Sequence, residues 1–250
     1  MNFFELFVKL VLVISVIPSY EVFATSNSKL MHMEVDLSNQ QSLQRGAKVF
    51  VNYCQSCHSA NYMRYNRIGE DLDIAEDILK ENLIFSEDKV GDVMSISMKK
   101  KDSANFFGVT PPDLSVIARS RGPDWLYTYL HTFYIDESRP FGVNNLTYKD
   151  TAMPHVLWEL QGFQQLVNTG KRGSVFYKPT YKNSLELITP GLQSEKEYDA
   201  TLRDLVNYLV YMGEPIKLKR KKIGFWVIFY LSILFVITYM LKRDYWRDIH

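Results

Sequence analysis

Cysteine is almost absent from this 250-residue chain, which has only Cys54 and Cys57. That excludes a disulfide-stapled secreted scaffold and any iron–sulfur or zinc centre built on four thiolates. Glycine (12) and proline (9) are too sparse for a collagen-like or low-complexity chain, and no internal repeat is present. An excess of one charge is lacking too, with 29 Lys and Arg against 28 Asp and Glu, and no nucleic-acid partner is expected. What is there, 46% hydrophobic and 23% charged residues, suits a folded chain with room for one medium domain and additions. A single cysteine pair leaves room for one covalently held cofactor at most.

Both ends are apolar. Leu10 to Ile17 form a short hydrophobic run, with Lys9 before it and Val22-Phe23-Ala24 after it. That pattern predicts a secretory signal over residues 1–24, with an uncleaved anchor as the alternative. Ile223 to Leu241 is a 19-residue stretch without a formal charge. At about 1.5 Å per residue it covers about 28 Å, close to a bilayer's hydrocarbon thickness, and it predicts one transmembrane helix. Five cations (Lys217, Lys219, Arg220, Lys221, Lys222) precede it, and counted alone they would put the large domain in the cytoplasm. A translocated leader demands the opposite, and long domains cross largely regardless of charge. The expected layout is therefore a periplasmic domain over 25–216, a basic link over 217–222, the span over 223–241 and a cytoplasmic tail over 242–250.

The expected domain is mainly helical with long loops. Helices are predicted over Ser42–Tyr53, Asp71–Leu83, Asp113–Arg121 and Pro123–Tyr134, the last opened by its proline. A strand pair is predicted around Trp158–Leu160 and Val175–Tyr177. Ser194-Glu195-Lys196-Glu197 forms a capping box that opens a helix ending at Gly213. Between Ile68 and Asp88 eight carboxylates face a single Lys80. Such a run is either a solvated face or a surface that docks a basic partner, with Asp71, Asp73, Glu76 and Asp77 at its centre.

Chemistry concentrates in Cys54-Gln55-Ser56-Cys57-His58, the attachment signature of a c-type haem. One turn presents two thiols to the two vinyl groups of a porphyrin, and the following imidazole reaches the iron. One motif implies one haem c. The sixth ligand needs a soft sulfur or a nitrogen. His250 lies beyond the span, His131 sits mid-helix among aromatics, and His32, Met31 and Met33 lie near an N-terminus expected to be mobile. Met153, in Thr151-Ala152-Met153-Pro154-His155, is favoured because Pro154 stiffens the approach, and His155 is its rival. A His–Met pair raises the potential and leaves no open position for oxygen chemistry.

Four features in order now resemble the cytochrome c1 family: Cys54 to His58; Gly108-Val109-Thr110-Pro111-Pro112-Asp113-Leu114-Ser115; Ala152-Met153-Pro154; and a capped helix, basic stretch and single span at the C-terminus. The resemblance implies a class I cytochrome c-like haem domain with loop insertions. His58 and Met153 would be the axial ligands of the haem iron, and a carbonyl of Pro111 or Pro112 would orient His58. Arg119, with Arg121 second, would hold a haem propionate. It further implies a one-electron carrier of the quinol–cytochrome c reductase (bc1) complex, in a bacterial inner membrane. Its partners would be cytochrome b and a Rieske iron–sulfur protein within a dimeric complex, and a cytochrome c as acceptor. His155 stands where the family often has a third proline. A free-standing tethered cytochrome, or a haem subunit of an oxidase or dehydrogenase, is the alternative.

Overall fold

A computed structural model of the chain describes residues 30–85, 89–167 and 184–247. The expected leader, Glu87 and Asp88 of the acidic run, and the expected strand at Val175–Tyr177 lie outside the described residues. Helix α1 (Gln40–Val49) starts where the Asn39 side chain accepts the Ser42 amide, and it runs directly into a wide π-helical stretch, Phe50–Cys54. There follow β1 (Ala60–Arg64), α2 (Tyr65–Leu72), α3 (Glu76–Leu83), β2 (Val93–Met94) and α4 (Lys100–Phe107). Next come α5 (Ile117–Arg121), α6 (Pro123–His131), β3 (Phe133–Ile135), β4 (Val143–Asn145) and α7 (Trp158–Gln161). Then β5 (Gly162–Leu166) and β6 (Leu185–Pro190) lead into α8 (Glu195–Gly213) and α9 (Lys217–Tyr245). The strands form three separate antiparallel pairs, β1–β2, β3–β4 and β5–β6, so helices carry the core.

The spine is α8. Its N-terminus has the expected capping box, the Ser194 hydroxyl accepting the Glu197 amide while the Glu197 carboxylate accepts the Ser194 amide. One face buries Tyr198, Leu202, Leu205, Val206 and Leu209 against α1, α5 and α6. The crossing with α1 is a close one, made at Gly46 over Asp204 and Tyr208. Beside it the Asp204 carboxylate receives the Ser42 hydroxyl at 2.6 Å and a two-pronged grip from Arg45 at 2.6 and 3.0 Å. Asn207 ties the same cluster to Asp36 and Ser42. Burial here is offset by full hydrogen bonding of the carboxylate.

Several expectations give way to tertiary geometry. The single helix expected over Asp71–Leu83 is two, broken at Asp73, which takes a left-handed conformation with φ 54°. The helix expected from Asp113 begins only at Ile117. The Asp113 carboxylate is instead occupied by Ser59, Asn61 and the Ser115 amide, bonds that hold it below the usual carboxylate range despite its desolvation. The α6 helix ends at His131 rather than Tyr134, because Phe133 and Tyr134 pair with β4. Trp158–Leu160 is helical, not a strand. Strand β5 starts after it at Gly162, whose φ of 90° and contact with the Thr189 and Pro190 backbone leave no space for a Cβ. The segment at residues 31–36 is pinned rather than loose: the Met31 amide donates to Thr128, the Met33 amide to Asp124, and Met33 is buried.

Helix α9 has 29 residues, about 44 Å at 1.5 Å each, and its most apolar window has a mean hydropathy of 2.2 with none of it buried in the protein. Apolar residues on every side of so long a helix suit a lipid solvent. The expected span, 223–241, forms its central part, and the basic residues from Lys217 to Lys222 are its first helical turns.

Candidate cofactor site

One cavity of about 360 Å³ collects the motif residues. Cys54, Cys57 and His58 form part of its wall. Further parts of it come from Val109, Pro111 and Pro112, from Arg121, from α6 through Trp125, Leu126, Tyr129 and Leu130, from Ala152, Met153 and Pro154, and from α8 through Leu205 and Leu209. Segments far apart in sequence thus converge on a largely apolar slot. Leu126 with Leu130, and Leu205 with Leu209, contribute as i,i+4 pairs on single helix faces.

The π-helical stretch delivers the motif. The Gln55 amide bonds to the Phe50 carbonyl at 3.0 Å, and the Cys57 and His58 amides both turn back to the Cys54 carbonyl, at 3.1 and 2.9 Å. Both thiols are unpaired. Burial pushes the Cys54 thiol up to about 12, with Cys57 adding to the shift. A redox dithiol or a thiolate ligand needs the opposite, a lowered pKa in an electropositive setting. Two unpaired thiols on the wall of an apolar slot, with Cys54 held protonated by burial, fit covalent attachment of a hydrophobic ring.

His58 Nδ1 lies 2.7 Å from the Pro112 carbonyl oxygen. A carbonyl only accepts, so Nδ1 carries the hydrogen and Nε2 keeps its lone pair. Desolvation lowers the His58 pKa, against smaller opposing effects of that bond and of Asp113, and so the ring stays neutral at pH 7. A neutral imidazole with one nitrogen tied and the other bare is what a metal ligand requires. Of the two prolines anticipated for this bond, Pro112 makes it, and Pro111 lines the cavity beside it.

Met153 lines the same cavity, partly buried against the core. Its loop is anchored on both sides: the Thr151 hydroxyl meets Tyr129 Oη at 2.8 Å and the Met153 amide at 3.4 Å, and Pro154 follows. His155 points elsewhere. It is buried, stacked on Phe133 at 4.9 Å between ring centres, and is not part of the cavity wall. Among the described residues its Nε2 has no hydrogen-bond partner, and desolvation, against smaller opposing effects of Gly162 and Gln161, lowers its pKa to about 4.

Of the two arginines, Arg121 reaches the cavity, its guanidinium 5.0 Å over the Trp125 ring, and Trp125 in turn stacks on Tyr129. Arg119 lies instead along the C-terminal end of α8, its side chain against Gly213. The sequence reading missed Trp125. A tryptophan two residues after Pro123 carried no signal beyond apolarity. The acidic residues belong to α2 and α3, neither of which contributes to the cavity wall. Asp71 bonds to Arg67 at 2.5 Å and receives the Tyr211 hydroxyl at 2.8 Å; Glu76 bonds to Lys80 at 2.5 Å. Asp73 occupies the left-handed break, and Asp77 stands in the first turn of α3.

A family model described as the Cytochrome C1 family matches residues 31–249. A cytochrome c1 of Allochromatium vinosum is 47% identical over 224 residues, which cover 88% of this chain and 90% of that protein. A protein of Nitrosomonas europaea named ammonia monooxygenase gamma subunit is 48% identical over 222 residues, 89% of each chain. A cytochrome c1 of Rhodospirillum rubrum is 27% identical over 240 residues, 84% of this chain and 83% of its own.

Proposed function

The chain belongs to the cytochrome c1 family, haem c-carrying subunits of the bc1 complex, and from that premise we propose that it is the electron-transfer subunit through which a respiratory quinol–cytochrome c reductase passes electrons from a Rieske iron–sulfur protein to a cytochrome c. The observation that carries this reading is the pairing, in one apolar cavity, of a His58 whose free nitrogen is Nε2 with the Met153 thioether. A haem bound there supplies a one-electron iron couple. Cys54 and Cys57 hold it by thioether bonds, which do not depend on affinity. His58 through Nε2 and Met153 through its thioether would hold the iron, which would leave no open site for oxygen or peroxide. The Pro112 carbonyl fixes the imidazole plane and makes the nitrogen a better donor. Arg121, its guanidinium over the Trp125 ring, would pair with a propionate, and Arg119 is the second candidate. No bond chemistry takes place on this chain; its residues set geometry, dryness and potential.

The proposed topology follows the sequence: a leader over 1–24, a periplasmic haem domain over 25–216, a basic link over 217–222, a single span over 223–241 packed against cytochrome b, and a cytoplasmic tail over 242–250. The membrane is the bacterial inner membrane and the complex is a dimer. Mild-detergent purification of the chain from native membranes, with mass spectrometry of the accompanying proteins, tests this. Recovery of a cytochrome b and a Rieske protein is expected. Recovery of the subunits of a monooxygenase or oxidase in their place would overturn the assignment.

Attachment has its own test. Cys57→Ala leaves one thiol, and the haem stain that follows this chain through a denaturing gel should fall to a small fraction of wild type. Undiminished covalent staining would show that the motif does not hold the group.

A further inference from the structure

Exposed apolar side chains adjoin the cavity, and free lysines outnumber free carboxylates on the segments that carry them. Phe107 and Val109 wall the cavity, and Phe107 packs on Phe141 at 5.7 Å. Phe106, Val109 and Phe141 are 72%, 53% and 40% exposed, an uncommon concentration of solvent-facing apolar surface beside a cofactor slot. The start of α4 is tied to this rim: the Thr110 and Ser103 hydroxyls both donate to the Lys100 carbonyl, at 3.2 and 2.9 Å. Lys99, Lys100 and Lys101 are consequently held next to the segment that walls the slot, and all three are exposed. Lys149 is exposed beside Tyr148, another wall residue.

None of these four lysines has a carboxylate within ion-pair distance among the described residues. Nearby carboxylates are engaged elsewhere: Asp136 by Ser138 and Asn144, Asp150 by Arg139, and Asp113 inside its own hydrogen-bond cluster. Asp102 and Glu137 are the exposed exceptions, two against four. The acidic face of α2 and α3 lies on elements that add nothing to the cavity wall.

Resting on the function proposed above, we infer that the soluble electron acceptor docks on this rim through an acidic face surrounding an apolar centre. Steering by charge benefits a partner that arrives by diffusion, whereas a donor held in the same membrane complex has no need of it. At about 0.1 M salt the screening length is about 10 Å, so unpaired lysines at the rim act on an approaching protein over the last stage of encounter. The exposed phenylalanines then supply the dry contact in which the charges act most strongly.

The whole complex, reduced by quinol, tests the inference with two small oxidants of opposite charge, ferricyanide and tris(phenanthroline)cobalt(III). Ferricyanide oxidation of this haem should slow as salt rises and the cobalt reaction should quicken. In the combined K99Q/K100Q/K101Q variant the low-salt ferricyanide rate should fall at least about fivefold. E70Q/E81Q on the acidic face should leave it unchanged. A cationic oxidant favoured at low salt, or a triple variant with the wild-type salt slope, overturns the inference. Equilibrium dialysis with redox-inert hexacyanocobaltate(III) gives a reading that needs no turnover: the anion should be retained by wild type and lost from the triple variant, and equal retention counts against the rim. A wild-type chain lacking a c-type haem spectrum would refute the proposed function, and the dialysis would still decide whether the rim is an anion-attracting surface.

Discussion

Replacing Met153 with leucine should lower the midpoint potential of the haem by roughly 100 mV or more, within the range of about 0.8 V that axial ligands command. The substitution keeps volume and apolarity while removing the one soft donor, so it separates ligation from packing. The loop should survive, because its anchors lie elsewhere: Thr151 on Tyr129, Asn144 Oδ1 accepting the Asp150 amide at 2.8 Å, and Pro154 after the ligand. A thioether favours ferrous iron over ferric, and without it the oxidised form is relatively stabilised. The vacated position should also admit carbon monoxide to the reduced protein, which wild type should exclude. A potential within a few tens of millivolts of wild type would remove Met153 from the iron. His155→Phe discriminates further, since it keeps the stack on Phe133 and should leave the potential near wild type. A large shift there, with none at Met153, would make His155 the ligand.

The parts of this site that were legible in the sequence are those fixed by local geometry. The cysteine motif, the Met-Pro step, the capping box at Ser194 and the apolar span each carry their signal within a few residues, and the structure has the corresponding elements in place. What escaped the sequence depends on which face of an element meets the core. Arg119 and Arg121 sit two positions apart on a short helix, about 200° around its axis, so packing of α5 alone decides that Arg121 faces the slot. Met153 and His155 flank a proline in the same way, with one side chain in the cavity and the other in the core. The left-handed turn at Asp73 has no glycine to announce it, and so a helical pattern was read straight through the break.

Gly46→Ala should be strongly damaging although it touches no haem ligand. The new methyl carbon would fall 2.7 Å from Tyr208 Cβ and closer still to the Asp204 backbone carbonyl, both on the opposing helix and neither able to swing aside. Alanine is the better helix former by about 1 kcal/mol, so propensity alone predicts a gain in stability. Sterics oppose it: separating α1 from α8 loosens Leu43, Ala47 and Phe50, and stretches the Ser42 and Arg45 bonds to Asp204. Overpacking of this kind costs about 1–3 kcal/mol, and a disturbed buried carboxylate adds to it. A net loss of about 2 kcal/mol corresponds to a Tm lower by about 4–8 °C for a domain of this size. Because α1 runs without interruption into Phe50–Cys54, the same displacement moves the thiols, and the yield of covalently attached haem should fall along with the melting temperature. Gly91→Ala, in the turn before β2 with open space around it, is the control and should change neither. A Gly46→Ala protein with wild-type melting and full haem content would mean that the two helices have slack the structure does not show.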